Sequence, residues 1–192
     1  MHSRLPPALA KAYCLTYVRG LTPDRLLTRL GAGPGRAELT LDELIRGQAR
    51  GAVALGEWAL LVESYGGLGS TEEVVLPLSA GTRLVSHSYL DVDDMDHFHW
   101  VDDGRIRFQF LPEEGYSHGI VDGRIRFLFR PHESYCGEPP DEIADLLEQM
   151  HSPVHPLPEQ PHRGPAFSLA ERLTGITMTP RLLEESRYLT AH

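Results

Sequence analysis

The sequence has few cysteines and no long apolar run, and each shortage excludes a class of protein. Its 192 residues include only two cysteines, Cys14 and Cys136, which are too few for a disulfide framework. Charged residues at Arg4, Lys11 and Arg19 interrupt the N-terminal segment before an apolar signal core can develop. No stretch is long enough to span a membrane. We therefore expect a protein of the reducing cytoplasm without a membrane partner.

Positive charge is also scarce. The chain has 18 Lys and Arg against 27 Asp and Glu, a formal net charge of -9, and no basic run. Binding to a phosphate backbone needs clustered Lys and Arg, so we expect no nucleic-acid partner. The 41% of hydrophobic residues are enough to bury a core, and the length suits a single domain over residues 1–192.

The stretch from Trp58 to Phe110 predicts an antiparallel sheet. Trp58 to Glu63 is an apolar run bounded by glycines, which is typical of a short buried strand. Asp96 to Val101 and Arg105 to Phe110 alternate between apolar and polar residues, and Asp103-Gly104 between them is a strong hairpin signal. Alternation predicts histidines on the outward face and a buried aromatic core, with Trp58, Phe98, Trp100, Phe108 and Phe110.

Thr82 to Leu90 is a further predicted strand with a different pattern. Polar and apolar residues are mixed on both of its faces. This pattern indicates a strand covered on both sides, or one with a polar site on one side.

Helices are predicted on either side of the sheet. The first begins at Pro6-Pro7 and runs to about Arg19, and the last begins at Thr179-Pro180 and runs to about Leu189. Helix-start patterns also occur at Thr22-Pro23 and, as capping boxes, at Thr40 to Glu43 and Ser70 to Glu73. The fold class is therefore α+β, with a single antiparallel sheet of about five or six strands flanked by N- and C-terminal helices.

Residues 152–165 are rich in proline and histidine, which predicts an exposed linker before the C-terminal helices.

A short internal repeat adds arginines to the predicted sheet. The string DGRIRFQF, from Asp103 to Phe110, returns as DGRIRFLF, from Asp122 to Phe129. The second copy can form another strand at the sheet edge, or it can displace the first copy. The outward residues of both copies form a candidate binding surface for a protein or a small acidic ligand. They are Arg105, Arg107, Arg124 and Arg126. The alternative is that these arginines are solvated strand residues.

Histidines near the hairpin suggest a metal site. His97 and His99 share one face of a predicted strand, a spacing that can chelate zinc and other transition metals, and His87 is a candidate third ligand. The nearby carboxylates Asp93, Asp94 and Asp96 can complete such a site. The favoured alternative is that these are surface histidines, because ten are scattered through the chain. No cofactor is therefore predicted, and a divalent transition metal stays an open possibility.

Glu63 is the one candidate catalytic residue, at the end of an aromatic strand and next to a glycine pair. A carboxylate there can act as a general base or bind a ligand amide or hydroxyl. The favoured alternative is structural: the carboxylate accepts hydrogen bonds from backbone amides of the following turn or of the next helix.

Two other catalytic readings are weak. The segment from Gly66 to Ser70 lacks the lysine of a phosphate-binding loop and the spacing of a dinucleotide fingerprint. Ser86, Ser88 and Cys136 have no nucleophile-elbow context, which argues against a hydrolase.

Several blocks, in order, resemble a known family. They are AYCLTYVRGLTPDRLLTRLGA, GEWALLVESYGGLGS, LSAGTRLVSHSY, the DGR strand and SLAERLTGITMTPRLLEES. Together these blocks are similar to a group of small actinomycete proteins catalogued only as a domain of unknown function. The resemblance spans Tyr13 to Tyr188, apart from the repeat and the linker. It implies a cytoplasmic single domain and assigns no activity and no catalytic residues.

Two main hypotheses of function follow. The first is a non-catalytic cytoplasmic binding or interaction module that uses its sheet face or edge, because the catalytic motifs are weak. The second is a metal-dependent enzyme with a histidine and carboxylate site on the sheet. An accessory protein, such as an immunity-type inhibitor, also fits the small size and the acidity.

Overall fold

The fold is built on one antiparallel sheet of eight strands. The computed structural model describes residues 5–33, 36–90, 95–110, 116–121, 124–129, 140–151 and 164–191. The strand order is β2-β10-β3-β4-β1-β5-β6-β7, and β8 and β9 form a separate hairpin. The strands are β1 (Ala12–Arg19), β2 (Arg36–Leu39), β3 (Arg50–Leu55), β4 (Trp58–Glu63), β5 (Arg83–Leu90), β6 (Met95–Asp102), β7 (Arg105–Phe110), β8 (Tyr116–Val121), β9 (Arg124–Phe129) and β10 (Tyr188–Ala191).

Short helices connect these strands and pack on the sheet. They are α1 (Pro23–Arg29), α2 (Leu41–Arg46), α3 (Glu72–Leu78), α4 (Asp141–His151), α5 (Gly164–Thr174) and α6 (Pro180–Glu185), with 3-10 turns at Pro7–Leu9 and Leu68–Ser70. The local start signals explain three of them. Thr22, Thr40 and Thr179 each accept a hydrogen bond from a backbone amide of the first helical turn, and Thr40 forms both bonds of its capping box.

The predicted N-terminal helix is wrong, because most of that segment is the central strand β1. It pairs with β4 on one side and with β5 on the other. Its residues from Ala12 to Val18 are buried on both faces, so the alternation that marks a half-buried strand is missing. Tyr13, Tyr17 and Val18 nevertheless favour strand, since aromatic and β-branched side chains fit a pleated surface.

One face of the sheet, which we call the aromatic face, is apolar across the central strands. Its strand residues include Tyr13, Tyr17, Leu60, Phe98 and Trp100, all almost fully buried. Side chains of α2, α4, α5 and α6 belong to the same core cluster. The predicted aromatic core is thus confirmed for Trp58, Phe98, Trp100 and Phe108, and the side chain of Phe110 lies outside the described residues.

The opposite face, which we call the divided face, has an apolar half and a polar half. In the apolar half, Val18, Leu84 and Val101 pack with residues of α1 and α3. In the polar half, the same strands carry Cys14, Ser88 and His97 and other polar side chains. The mixed pattern of Thr82 to Leu90 is therefore explained by the burial of β5 on both faces.

The C-terminal segment adds a strand rather than helix. The helix that begins after Thr179 ends at Glu185, and Tyr188–Ala191 enters the sheet between β2 and β3. The strand β2 was not predicted either. Each of these strands has only four residues, too few for a clear alternation.

The two copies of the internal repeat lie in different sheets. The first copy contains β7, which ends the large sheet, whereas the second contains β9, which among the described strands pairs with β8. Neither of the two alternatives is therefore found among the described strands: the second copy does not extend the main sheet, and the first copy keeps its place in it. The predicted Asp103-Gly104 turn is confirmed, with φ of 47° and 71° at its two residues.

The regular alternation predicted for β7 is interrupted, because the pairing of β6 with β7 contains a bulge at Trp100 and Val101. Phe108 joins the core cluster of the aromatic face, while Ile106 packs against that of the divided face. The extra residue of the bulge changes which side each residue faces.

The mixed fold class and the single antiparallel main sheet are confirmed, with eight strands in place of five or six. Helices do not simply flank the sheet at the two chain ends. Residues 152–163 of the predicted linker lie outside the described residues, and Gly164 and Pro165 already belong to α5. Within the described ranges, no helix is long and apolar enough to cross a membrane.

Candidate functional site

The polar half of the divided face lies beneath residues 64–70, which we call the Tyr65 loop. Gly69 in its 3-10 turn packs directly on the strands. A Cβ atom added at Gly69 would lie 2.0 Å from Ser86 Oγ, 2.2 Å from Thr16 Oγ1 and 2.7 Å from Cys14 Sγ. Only glycine lets the loop backbone approach so closely, and the loop thereby seals these side chains from solvent.

Hydrogen bonds join the sealed side chains to one another. Thr16 Oγ1 and Ser86 Oγ are 2.9 Å apart, and Cys14 Sγ lies 3.8 Å from the Thr16 hydroxyl. At the edge of the cluster, Ser70 Oγ and Ser88 Oγ are 2.8 Å apart. This bond explains why the predicted Ser70 capping box is wrong: Thr71 is the N-cap residue of α3 and makes no side-chain cap bond.

Burial makes the two most reactive groups of this layer inert. It raises the pKa of the Cys14 thiol to about 12, helped by the nearby Glu63 carboxylate, so the nucleophilic thiolate does not form at neutral pH. Burial also lowers the pKa of the His99 imidazole to about 4, and His97 lowers it further against an opposing backbone contact with Gly69. His99 is only 2% exposed and neutral at physiological pH, so the prediction of an outward histidine is wrong for it.

Glu63 lies at the outer end of this layer. It is 5% exposed, and its Oε2 atom has no hydrogen-bond partner within the described part of the chain. Burial raises the pKa of this carboxyl, whereas Arg50, the Cys14 thiol and the backbone amides of Leu68 and Gly69 lower it. The amide contacts favour the structural role of Glu63 over the general-base role. Because Oε2 has no partner among the described residues, the structural role accounts for only one of the two carboxylate oxygens.

Above this carboxyl, Tyr65 points into solvent. Its side chain is 65% exposed, which makes it the one exposed large hydrophobic residue of the described chain. Its backbone adopts φ of 56°, in the left-handed region that side chains other than glycine rarely enter. Gly66 follows so closely over Glu63 that an added Cβ would lie 2.4 Å from Glu63 Oε1. The Tyr65 loop is thus held by close packing in a strained conformation.

A cleft lies on each side of Tyr65. The larger, which we call the Arg50 cleft, has a volume of about 550 Å³ and is lined by residues 48–50 and 63–68. The smaller has a volume of about 240 Å³, and Ser88 and His97 contribute to its wall. Both clefts share Tyr65, Gly66 and Gly67.

The three histidines of the predicted metal site do not come together. His97 and His99 lie on the divided face, paired with Ser88 and Ser86 of β5. His87 points to the opposite face, where its ring is 4.6 Å from the Phe167 ring and its Nδ1 atom is 3.3 Å from the Tyr13 hydroxyl. Over the described ranges, no group of three or more His, Cys, Asp or Glu side chains is arranged to hold a metal ion. Asp93 and Asp94 lie outside those ranges, as does the side chain of Asp96.

The four arginines of the predicted binding surface belong to two sheets. Arg105 and Arg107 are exposed on β7, the last strand of the main sheet. Arg124 and Arg126 lie in β9 of the separate hairpin, and their side chains are outside the described part of the structure.

Sequence reasoning missed the residues that shape the Arg50 cleft. Gln48 and Arg50 follow α2, where nothing in the local pattern distinguishes them from ordinary surface residues. The glycines of the Tyr65 loop were a usable signal, because three of them within residues 66–69 permit a close backbone approach. The polar residues Cys14 and Thr16 were hidden by the helix assigned to their segment.

The chain belongs to a family of unknown function, DUF6461, whose family model matches residues 1–192. This match confirms the resemblance found in the sequence. No curated protein and no solved structure is similar enough to match the chain.

Proposed function

We propose that this member of the family is a non-catalytic binding module that holds its partner at the Tyr65 loop. The observation that carries the proposal is the exposure of Tyr65 in a left-handed backbone conformation between two clefts. A single exposed apolar side chain is ordinary on a protein surface. Here the backbone strain and the packing of Gly66 on Glu63 hold the ring in place, and a rigid tyrosine loses little entropy on binding.

The burial of the reactive side chains supports binding rather than catalysis. Four side chains of catalytic type, those of Cys14, Thr16, Ser86 and His99, are buried beneath the Tyr65 loop. A substrate cannot reach them while the loop is seated. What the loop offers to a partner is an aromatic ring, a cleft on either side and the Arg50 side chain.

We also place the module in the cytoplasm. Cys14 is a free, buried thiol, which suits a reducing compartment, and the net charge of -9 is unsuited to nucleic acid. The partner is then a protein or a small acidic ligand, as the charge pattern of the sequence predicts.

The proposal is tested by retention of cell material on the immobilised full-length protein. Extract from cells that make the protein is passed over the wild type and over Tyr65→Ala, and bound proteins and small molecules are identified by mass spectrometry. We expect Tyr65→Ala to lower retention about tenfold or more, as for an aromatic anchor at the centre of an interface. Tyr65→Phe keeps the ring and should retain the partner.

The rival surface provides the contrary outcome. A variant with Arg105→Ala and Arg107→Ala removes the exposed arginines of β7 and leaves the Tyr65 loop intact. Loss of the partner from this variant, together with full retention by Tyr65→Ala, would overturn the proposal and move the binding surface to the sheet edge.

A further inference from the structure

The Arg50 cleft brings together a cation and an anion that are neighbours and yet do not pair. Arg50 and Glu63 are directly opposite each other in the register of β3 and β4. Arg50 is exposed, and within the described part of the molecule its side chain makes no salt bridge and no hydrogen bond. Glu63 Oε2 likewise has no partner there. Adjacent opposite charges left apart in this way are available to a ligand that carries both.

A second polar atom in the same wall also has no partner. Ser64 is 6% exposed, lines the cleft beside Glu63, and its buried Oγ atom makes no hydrogen bond to the described residues. Leaving buried polar atoms unsatisfied costs about 1–3 kcal/mol for each group, so such atoms are rare without a reason. Seven such side-chain atoms occur in the described part of the chain, and Glu63 Oε2 and Ser64 Oγ are the two that belong to consecutive residues in the wall of one cleft.

The cleft backbone shows the same departure from the ordinary. Among the described residues, the non-glycine residues with positive φ are Gln48, Tyr65 and Asp103. Asp103 belongs to a hairpin turn that requires this conformation. Gln48 directly follows the C-cap residue of α2, and the Ala49 amide donates to the Leu44 carbonyl, so its left-handed conformation belongs to an ordinary helix ending. Tyr65 lines the Arg50 cleft and belongs to neither a hairpin turn nor a helix end. Strained residues of this kind persist where the surrounding structure imposes them, and they cluster at ligand sites.

We propose that the Arg50 cleft binds a free amino acid, whose carboxylate pairs with Arg50 and whose ammonium group pairs with Glu63. The ammonium group donates a further hydrogen bond to Ser64 Oγ. Glu63 Oε2 and Ser64 Oγ are buried in the cleft wall, and rotation of these two side chains brings them to the ligand while the Tyr65 loop keeps its place.

The charges of the cleft decide between this ligand and other small polar molecules. A phosphate or a dicarboxylate would satisfy Arg50 but would bring a second negative charge against Glu63. A simple amine would satisfy Glu63 and be repelled by Arg50. Only a zwitterion matches both neighbours, and a cleft of about 550 Å³ is within the usual range for small-molecule sites. The inference rests on the proposed function, since it assigns a ligand to the Tyr65 loop, and it replaces the small acidic ligand named there with a zwitterion.

The test is calorimetric titration of the full-length protein with each of the common amino acids, taken singly. For the amino acid that binds most tightly, the N-acetyl derivative and the α-amide are titrated next. We expect each derivative to bind at least about tenfold more weakly, because one lacks the ammonium group and the other the carboxylate. These two probes test both contacts without altering the protein.

Variants test the same contacts from the other side. Arg50→Gln should weaken binding at least about tenfold and bring the α-amide and the parent amino acid to similar affinities. Arg25→Gln is the matched control, an exposed arginine on α1 outside the lining of the cleft, and should bind as the wild type does. Glu63→Gln tests the contact with the ammonium group, once circular dichroism has shown that the variant folds. The N-acetyl derivative, which lacks the ammonium group, tests the same contact on the wild-type protein.

The inference is overturned if no amino acid binds at millimolar concentration, or if Arg50→Gln binds the amino acid unchanged. Equal binding of the N-acetyl derivative and the parent would also overturn it. The proposed function is separable from this result. If Tyr65→Ala still loses its partner from cell extract while no amino acid binds, the loop is a binding surface for a different ligand.

Discussion

The two halves of the divided face use the same strands for opposite purposes. In one half, Val18 pairs with Ala59 and with Leu84, and Leu84 pairs with Val101. Four residues further along the same strands, Cys14 pairs with Glu63 and with Ser88, and Ser88 pairs with His97. The first row is apolar and the second is polar, although both rows lie on the same side of the same four strands.

What covers each row accounts for the difference. The apolar row lies under side chains of α1 and α3, so the contact is between hydrocarbon surfaces. The polar half lies under the Tyr65 loop, where Gly69 presents its backbone rather than a side chain. Backbone amides and carbonyls need partners when they are buried, and a floor of hydroxyl, thiol, imidazole and carboxyl groups can provide them. The segment that packs on each half therefore determines whether apolar or polar side chains are needed beneath it.

The largest loss of stability is expected from shortening a side chain in the apolar half. Leu84 is fully buried, and Leu84→Ala should lower the free energy of unfolding by about 4 kcal/mol, through lost transfer energy and the cavity left behind. Ser86→Ala, two residues away on the same strand, removes the hydrogen bonds of one hydroxyl to Thr16 Oγ1 and to the Leu15 carbonyl and should cost about 1–2 kcal/mol. Urea denaturation followed by circular dichroism measures both. Equal losses would show that the two halves do not differ in the way described.

The next effect tests the close approach of the loop to its floor. Gly69→Ala places a methyl group against three side chains and should lower the free energy of unfolding by about 3 kcal/mol, or displace the loop. The matched control is Gly67→Ala in the same loop, where nothing lies within 4 Å of the added Cβ, and it should change the free energy by less than about 0.5 kcal/mol. A Gly69→Ala protein as stable as the wild type would contradict the sealed arrangement.

The smallest effect concerns the pH dependence of the polar half. The pKa of His99 is about 4 in the folded protein against 6.5 as the ordinary value, so the unfolded chain binds more protons between these pH values. Stability is therefore retained above pH 6.5 and is lost as the pH falls toward 4. Relative to His99→Gln, which does not titrate there, the wild type should lose about 2 kcal/mol between pH 8 and pH 5.

The buried carboxyl of Glu63 changes the stability with pH in the opposite direction. Because its pKa is raised in the folded state, this carboxyl stabilises the protein below its ordinary pKa of 4.5 and loses that contribution as the pH rises through the higher folded value. The comparison with His99→Gln removes this term, since both proteins contain Glu63. Parallel stability curves for the two proteins would mean that His99 is not held neutral by burial.

Elements whose signals are local were predictable from the sequence. The capping box at Thr40, the helix starts at Thr22 and Thr179 and the Asp103-Gly104 turn depend on residues within a few positions of one another. The hairpin strands on either side of that turn are found close to their predicted bounds. These features follow from hydrogen bonds and dihedral preferences that a short segment satisfies by itself.

The candidate site was only partly predictable, for reasons that concern distant residues. Glu63 and the glycines after it were noticed, but Arg50 is thirteen positions earlier and acquires its meaning only through its pairing with Glu63. Alternation predicts which side of the sheet a residue faces, but not whether another part of the chain covers that side. The sequence alone therefore predicts His97 and His99 on a solvent-exposed face. The 3-10 turn over His99 is supplied by residues about thirty positions away.

From its own residues the chain dictates an acidic α+β protein with aromatic strands, a tight hairpin and well-capped short helices, because those properties depend on composition and on contacts between near neighbours. Only the folded chain decides that Ala12–Arg19 is the central strand, that Tyr188–Ala191 joins the sheet, and that a glycine backbone covers a polar floor beside Arg50 and Glu63, which form no salt bridge with each other. Burial on both faces erases alternation, and cross-strand partners meet only when segments far apart in sequence are brought side by side.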